Sequence, residues 1–147
     1  MGWIFETSFF LLGLFKNKII REPLLDLLSD NQRVIMTNPL TYDYLVGAIK
    51  KCYLVLTDSG GLQEEAPSLG KPVLVLRNTT ERIEAIDSGT AKLVGTDPDK
   101  IYAEVSNLLN NEYEYDLMSQ SINPYGDGKA SEKIFNYCKS FLEEKRI

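Results

Sequence analysis

Residues 55–76 read "VLTDSGGLQEEAPSLGKPVLVL", and Ser59, Gly60, Gly61, Glu64 and Glu65 are the side chains and bare backbone that could do chemistry there. Two glycines at the start of a helix let an anion approach backbone N–H groups closely, and the helix adds its positive dipole end. The chemistry this offers is passive charge stabilisation. The same pair also reads as a tight strand-to-helix turn whose glycines satisfy backbone geometry alone. With Gly61 as N-cap, Glu64 would take the capping-box position. Glu65, about 100° further round the helix, would then face a cleft. A carboxylate beside an anion site is useful if it meets a neutral part of the ligand, and a ribose diol can donate both hydroxyls to one carboxylate. Phosphate on the N–H groups and ribose on Glu65 together suggest a nucleoside diphosphate.

The rest of the chain limits what else could act. Its 147 residues make about one domain, large enough for a real core. A net charge of −5 and a pI near 4.8 argue against a nucleic-acid or membrane-surface binder, without excluding an anion held at one helix end. The chain has no histidine, so acid/base work must fall to Asp, Glu, Lys or Tyr, and the commonest metal ligand is missing. Neither a metal nor a cofactor is expected. Cys52 and Cys138 fit no C-x-x-C or zinc spacing and read as buried, reduced thiols of a cytoplasmic protein. The N-terminal "MGWIFETSFFLLGLF" is apolar, but its longest uncharged run, "TSFFLLGLF", is well short of the roughly 18 residues of a membrane span. It also has no basic leader or cleavage site of a signal peptide. Its apolar face needs cover.

The elements that must position the glycine pair alternate in type. "REPLLDLLSDN" reads as a short helix, "RVIMT" as a strand, and "NPLTYDYLVGAIKKC" as a helix with Tyr42, Leu45, Ala48 and Ile49 on one stripe. "YLVLT", residues 53–57, is the continuous apolar run of a strand buried on both faces. After it come a two-turn helix "LQEEAPSL" with Gly70 as C′, the strand "VLVL", a turn and short helix in "TTERIEAIDSG", and the strand "TAKLV". Asp97-Pro98 caps and starts "PDKIYAEVSNLLN". A polar helix near 112–120, the turn cluster "NPYGDG" and a last helix near 129–145 complete the chain. That helix carries Ala130, Ile134, Phe135, Cys138, Phe141 and Leu142 on one stripe and so is expected to dock. The alternation implies an α/β fold: a Rossmann-like open parallel sheet with helices on both faces. In such sheets ligands bind beyond the carboxyl ends of the strands, where Ser59 to Gly61 fall.

Three segments, "LTDSGGLQEEAPSLGKPVLVLRNTTERIEA", "GTAKLVGTD" and "NPYGDGKASEKI", in this order resemble the C-terminal domain of the non-hydrolysing UDP-N-acetylglucosamine 2-epimerases. The resemblance runs from about residue 19 to 142. It implies the C-terminal half of a glycosyltransferase-B-like fold, two Rossmann-like domains with a UDP-sugar between them. The implied reaction interconverts UDP-GlcNAc and UDP-ManNAc by anti elimination of UDP and its re-addition to the 2-acetamidoglucal. Carried over by position, Ser59, Gly60 and Gly61 would hold the diphosphate, Glu65 the ribose hydroxyls and Arg82 of "TTER" the phosphates. Leu40 and Leu45 match positions that contact uracil in the family; the second is usually aromatic there, so Leu45 cannot stack as that ring would. "NPYGDG" would serve chiefly as the turn before the last helix, which in the family crosses back to the N-terminal domain.

The chain also departs from the family pattern. Phe15 stands about where a His is expected, Asn17 is kept, and nothing upstream of Lys16 matches. This divides the chain into a divergent apolar segment, residues 1–18, and a UDP-binding domain, residues 19–147. The catalytic acid/base groups are expected mostly on the family's N-terminal domain. The chain therefore reads as a C-terminal fragment, from a truncated or frameshifted reading frame or as one half of a split enzyme with a separate N-terminal half. By itself it is expected to bind UDP weakly without turning over substrate. Two alternatives stand beside it: the UDP-binding half of a glycosyltransferase-B-type UDP-sugar glycosyltransferase, and a non-catalytic module that self-associates into a homo-oligomer through its apolar surfaces.

Overall fold

A computed structural model describes residues 2–6, 9–13 and 18–144, the first 21 of the chain by backbone alone. Phe15 and Asn17 lie outside the described residues, as does Lys145 at the expected end of the last helix. Among the described residues the strands are β1 (Gly2–Glu6), β2 (Phe9–Gly13), β3 (Val34–Thr37), β4 (Leu54–Thr57), β5 (Val73–Val75) and β6 (Ala91–Leu93). The helices are α1 (Lys18–Leu28), α2 (Tyr42–Lys51), α3 (Gly60–Ser68), α4 (Ile83–Asp87), α5 (Pro98–Asn110), α6 (Glu112–Ser119) and α7 (Ala130–Glu144).

The strands form one sheet in the order β3-β2-β1-β4-β5-β6, the 3-2-1-4-5-6 order of a dinucleotide-type Rossmann sheet. β2 with β3, β4 with β5, and β5 with β6 pair in parallel. β1 departs from the parallel expectation: it runs antiparallel to both neighbours, with Gly2 opposite Thr57 and Glu6 opposite Phe9. The reason is connection length. Two residues separate Glu6 from Phe9, enough to close a hairpin, whereas a parallel return needs a crossover of a dozen or more. The apolar N-terminal segment therefore supplies two inner strands of the sheet.

The central strands are buried on both faces, and their alternation sorts the core into two layers. Val55, Val73 and Val75 face Ile49 of α2, Ala66 of α3 and Ala85 of α4. Leu54, Leu56 and Leu74 face Leu108 of α5, with Ile101 and Val105 of α5 and Met118 of α6 packed against them. Helices thus cover both faces. Of the α2 stripe, Ile49 is fully buried while Leu45 and Ala48 pack against the core; Tyr42, at the helix's first position, is exposed. The opposite layer is tied down by polar groups on aromatic bodies: the rings of Tyr53 and Tyr115 stack, and the Tyr115 hydroxyl donates to the Tyr53 carbonyl at 3.0 Å.

Local signals set the element ends. Gly70 takes φ 68° after α3, and the N–H groups of Gly70 and Lys71 return to the carbonyls of Pro67 and Ala66, a Schellman closure that only a residue free to adopt positive φ permits cheaply. Asp97 accepts from the N–H groups of Asp99 and Lys100 and Pro98 opens α5, as the sequence indicates. Docking of α7 is not seen: Ile134 is 63% and Phe135 66% exposed, and Cys138 is exposed beside them. Only Cys52 of the two thiols is buried, and burial pushes its pKa up to about 11.

Candidate functional site

β4 ends at Thr57, and the chain enters α3 through Ser59. Thr57 is fully buried, and its hydroxyl oxygen accepts the Ser59 N–H at 3.0 Å, which fixes the turn directly on the strand end. Ser59 is the N-cap of α3, so the helix begins at Gly60 rather than after Gly61. Three consequences follow for the residues singled out in the sequence.

First, Gly60 and Gly61 are helical, and neither has positive φ. A turn that needs glycine for its backbone geometry does not explain them. Second, the capping-box position falls on Leu62, so Glu64, two residues further on, makes no such box. Third, the first N–H groups of α3 have no intrahelical partner, and Ser59 makes no side-chain bond to them. They point out of the carboxyl end of the parallel strands, carrying the positive end of the helix dipole.

The two glycines differ in surroundings. A Cβ on Gly60 would lie 2.9 Å from the Glu81 carboxylate, so the "TTER" loop closes over that side of the helix. A Cβ on Gly61 would meet nothing nearer than Ser59 Oγ at 3.9 Å, an ordinary contact. Helical periodicity puts Glu64 one turn after Gly60 and Glu65 one turn after Gly61. The loop engages the Gly60/Glu64 side, where Arg82 Nε pairs with Glu64. The Gly61/Glu65 side stays open: Glu65 is half-buried, and among the described residues no ion pair engages it. Glu81 is itself held by Arg77 at 3.3 Å.

Sequence reasoning missed what joins these parts. Gln63 is fully buried; its Nε2 donates to the Ser59 carbonyl at 3.2 Å and its Oε1 accepts from the Thr80 hydroxyl at 2.6 Å. Thr80 Oγ1 in turn accepts the Arg82 N–H at 3.1 Å. The available signal was a lone amide among the core-facing positions of a short helix, since a buried polar side chain must be paying for its desolvation with hydrogen bonds.

"NPYGDG" does more than turn the chain. Asn123 accepts from the Tyr125 N–H and donates to the Gly126 carbonyl, and Asp127 caps the start of α7 through the Lys129 N–H while pairing with Lys133 at 3.0 Å. The turn also lays Tyr125 against the core beside α4. Burial, and then the carboxylates of Glu84 and Glu64, hold the Tyr125 hydroxyl above its ordinary pKa, partly offset by Arg82. Leu40 and Leu45 lie between the end of β3 and the first turns of α2; both are partly buried, and Leu45 packs on the core. They share with Ser59 the carboxyl-end edge of the sheet. Among the described residues no cluster of Cys, Asp and Glu could hold a metal ion, and no helix is long and apolar enough to cross a membrane.

A Rossmann-like sheet covered by helices on both faces defines a domain of the glycosyltransferase-B type. The family model for UDP-N-acetylglucosamine 2-epimerase matches residues 7–139, and the chain belongs to that family. The UDP-N-acetylglucosamine 2-epimerase of Escherichia coli K12 is 51% identical over 124 residues, which cover 84% of this chain and 33% of that protein. The Neisseria meningitidis UDP-GlcNAc 2-epimerase, solved bound to UDP-GlcNAc, superposes with a TM-score of 0.84 at 44% identity, covering 90% of this chain and 36% of that one. The Methanocaldococcus jannaschii enzyme, solved with UDP-GlcNAc and UDP, gives 0.71 at 32% identity, covering 88% and 35%. The chain thus spans about a third of the length of the curated relatives it matches.

Proposed function

We propose that this chain is the C-terminal, UDP-binding part of a UDP-GlcNAc 2-epimerase. The observation that carries the reading is the open Gly61/Glu65 side of α3. Glycine at 61 is required neither by φ nor by packing, so close approach of a ligand is the remaining physical reason for it. In this reading the diphosphate sits on the N–H groups of Gly60 and Gly61 beside Ser59, Arg82 neutralises its outer oxygens, and Glu65 accepts from the ribose hydroxyls. Leu40 and Leu45 form an aliphatic floor for uracil.

Binding UDP in this way also assists the reaction. As the C1–O bond of the sugar breaks, negative charge grows on the departing diphosphate, and donors already aimed at it stabilise that charge without reorganising. The proton at C2 must be moved by other groups. No residue of this chain is assigned that step; it belongs to an N-terminal domain, which would complete the cleft and cover the exposed stripe of α7. The two free thiols support a cytoplasmic location.

Titration of the chain with UDP, followed by amide resonances, tests the binding. Residues 59–65 should shift, and no shift at millimolar UDP would overturn the reading. Mixing the chain with a separately expressed N-terminal domain of the family tests the reaction: UDP-ManNAc should form from UDP-GlcNAc. Transfer of the sugar to an acceptor would instead assign a glycosyltransferase.

A further inference from the structure

We infer that Gln63 is a positioning residue that sets the anion site by holding both of its edges, resting on the UDP-binding reading given above. Its one amide joins Ser59, the N-cap of α3, to the loop that carries Arg82. On one side Nε2 donates to the Ser59 carbonyl at 3.2 Å; on the other Oε1 takes the Thr80 hydroxyl at 2.6 Å.

The direction of every bond in this relay is dictated. The Ser59 carbonyl can only accept, so the amide must present its NH2 group there and its oxygen to Thr80. The Arg82 N–H can only donate, so Thr80 Oγ accepts it, at 3.1 Å, and spends its own hydrogen on Gln63. Bonds arranged donor to acceptor in one sense polarise one another. A glutamate in the same place would set a carboxylate oxygen against the Ser59 carbonyl, and an asparagine would be one methylene too short to reach both partners. The amide is fully buried, so water cannot substitute for either partner.

The same helix grips Arg82 a second time. Glu64, the next residue, pairs with the Arg82 guanidinium. Backbone and side chain of Arg82 are therefore both indexed to α3, the helix whose N–H groups form the other half of the site. Gln63 touches no ligand in this arrangement; it fixes the distance between the two groups that would.

UDP affinity of the full chain, measured for the wild type, Gln63→Met, Thr80→Val, Thr80→Ser and the Gln63→Met/Thr80→Val double variant, tests the inference. Each of Gln63→Met and Thr80→Val should weaken UDP about tenfold, because either one breaks the Gln63–Thr80 bond in the middle of the relay. The double variant should be no weaker than either alone, because the relay is already broken. Thr80→Ser, which keeps the hydroxyl, should restore binding to within about twofold of the wild type. Gln63→Met should also move the Arg82 amide resonance, although the two residues share no direct bond. Losses that multiply to about a hundredfold, or Thr80→Val binding as the wild type does, would overturn the relay while leaving the UDP site standing. A wild-type chain that ignores UDP would overturn the binding reading and this inference with it. Should Gln63→Met fail to fold, the Thr80 pair and the Arg82 resonance decide the matter.

Discussion

The Glu64 carboxylate on α3 pairs with Nε of Arg82, the residue immediately before α4, and so bridges the helix of the glycine pair to the "TTER" loop. Both side chains are more than a third exposed, so the pair adds at most about 1 kcal/mol to stability. Its consequence is the placement of one positive charge near a helix N-terminus. Arg82→Ala is therefore expected to leave thermal unfolding nearly unchanged while weakening UDP by about tenfold or more, the scale of a charge-assisted hydrogen bond. Calorimetric titration beside a thermal melt reads both.

Gly61→Ala separates stability from binding. The added methyl finds room, 3.9 Å from the nearest atom, and the residue is helical, so the fold should gain up to about 1 kcal/mol. The same methyl stands where the diphosphate is proposed to lie. A denaturant midpoint that rises while the UDP-induced amide shifts vanish is the expected pair of results; an unfolding midpoint that falls would contradict the packing, and retained shifts the site.

The exposed stripe of α7 should tolerate charge. Phe135 is 66% exposed, so Phe135→Glu should change stability by less than about 0.5 kcal/mol. Activity reconstituted with an N-terminal domain should nevertheless fall sharply. If instead the chain is dimeric in sedimentation experiments and Phe135→Glu makes it monomeric, the stripe serves self-association.

Alkaline pH should destabilise the fold through Cys52. Burial raises its thiol from the ordinary value of 9.0 to about 11. The native state then holds a proton that the unfolded chain gives up first, so the stabilising contribution is complete below the ordinary value and is lost as the pH rises toward 11. Tyr53, Tyr115 and Tyr125, also raised chiefly by burial, add losses of the same sign above the ordinary tyrosine range. Stability measured from pH 8 to 11 should fall less steeply in Cys52→Ala than in the wild type; parallel curves would remove the thiol from the account.

Much of the fold was legible because local rules and tertiary packing agree along most of this chain. The unbroken apolar run of β4, Asp97-Pro98 before α5 and Gly70 after α3 each have one low-energy structural outcome. The hairpin of β1 and β2 was not legible, since apolar runs of that length carry no partner information and only the sheet order assigns them a place. In the candidate site, residue types and spacing pointed to Ser59, Gly60, Gly61 and Glu65, and the family resemblance added Arg82. They were silent on Gln63 and Thr80, whose hydrogen bond joins residues 17 positions apart.

The amino-acid sequence by itself determined the alternation of strands and helices, the place of the glycine pair after a buried strand, and the motifs that mark the family. Those depend on short-range periodicity and on residue identity. Tertiary structure decided that the glycines lie inside the first turn of α3, that Glu64 pairs with Arg82 while among the described residues no ion pair engages Glu65, and that one buried amide joins the two edges of the candidate site. These depend on which side chains meet across the fold, and hydrogen bonds between distant residues exist only once the sheet has brought their elements together.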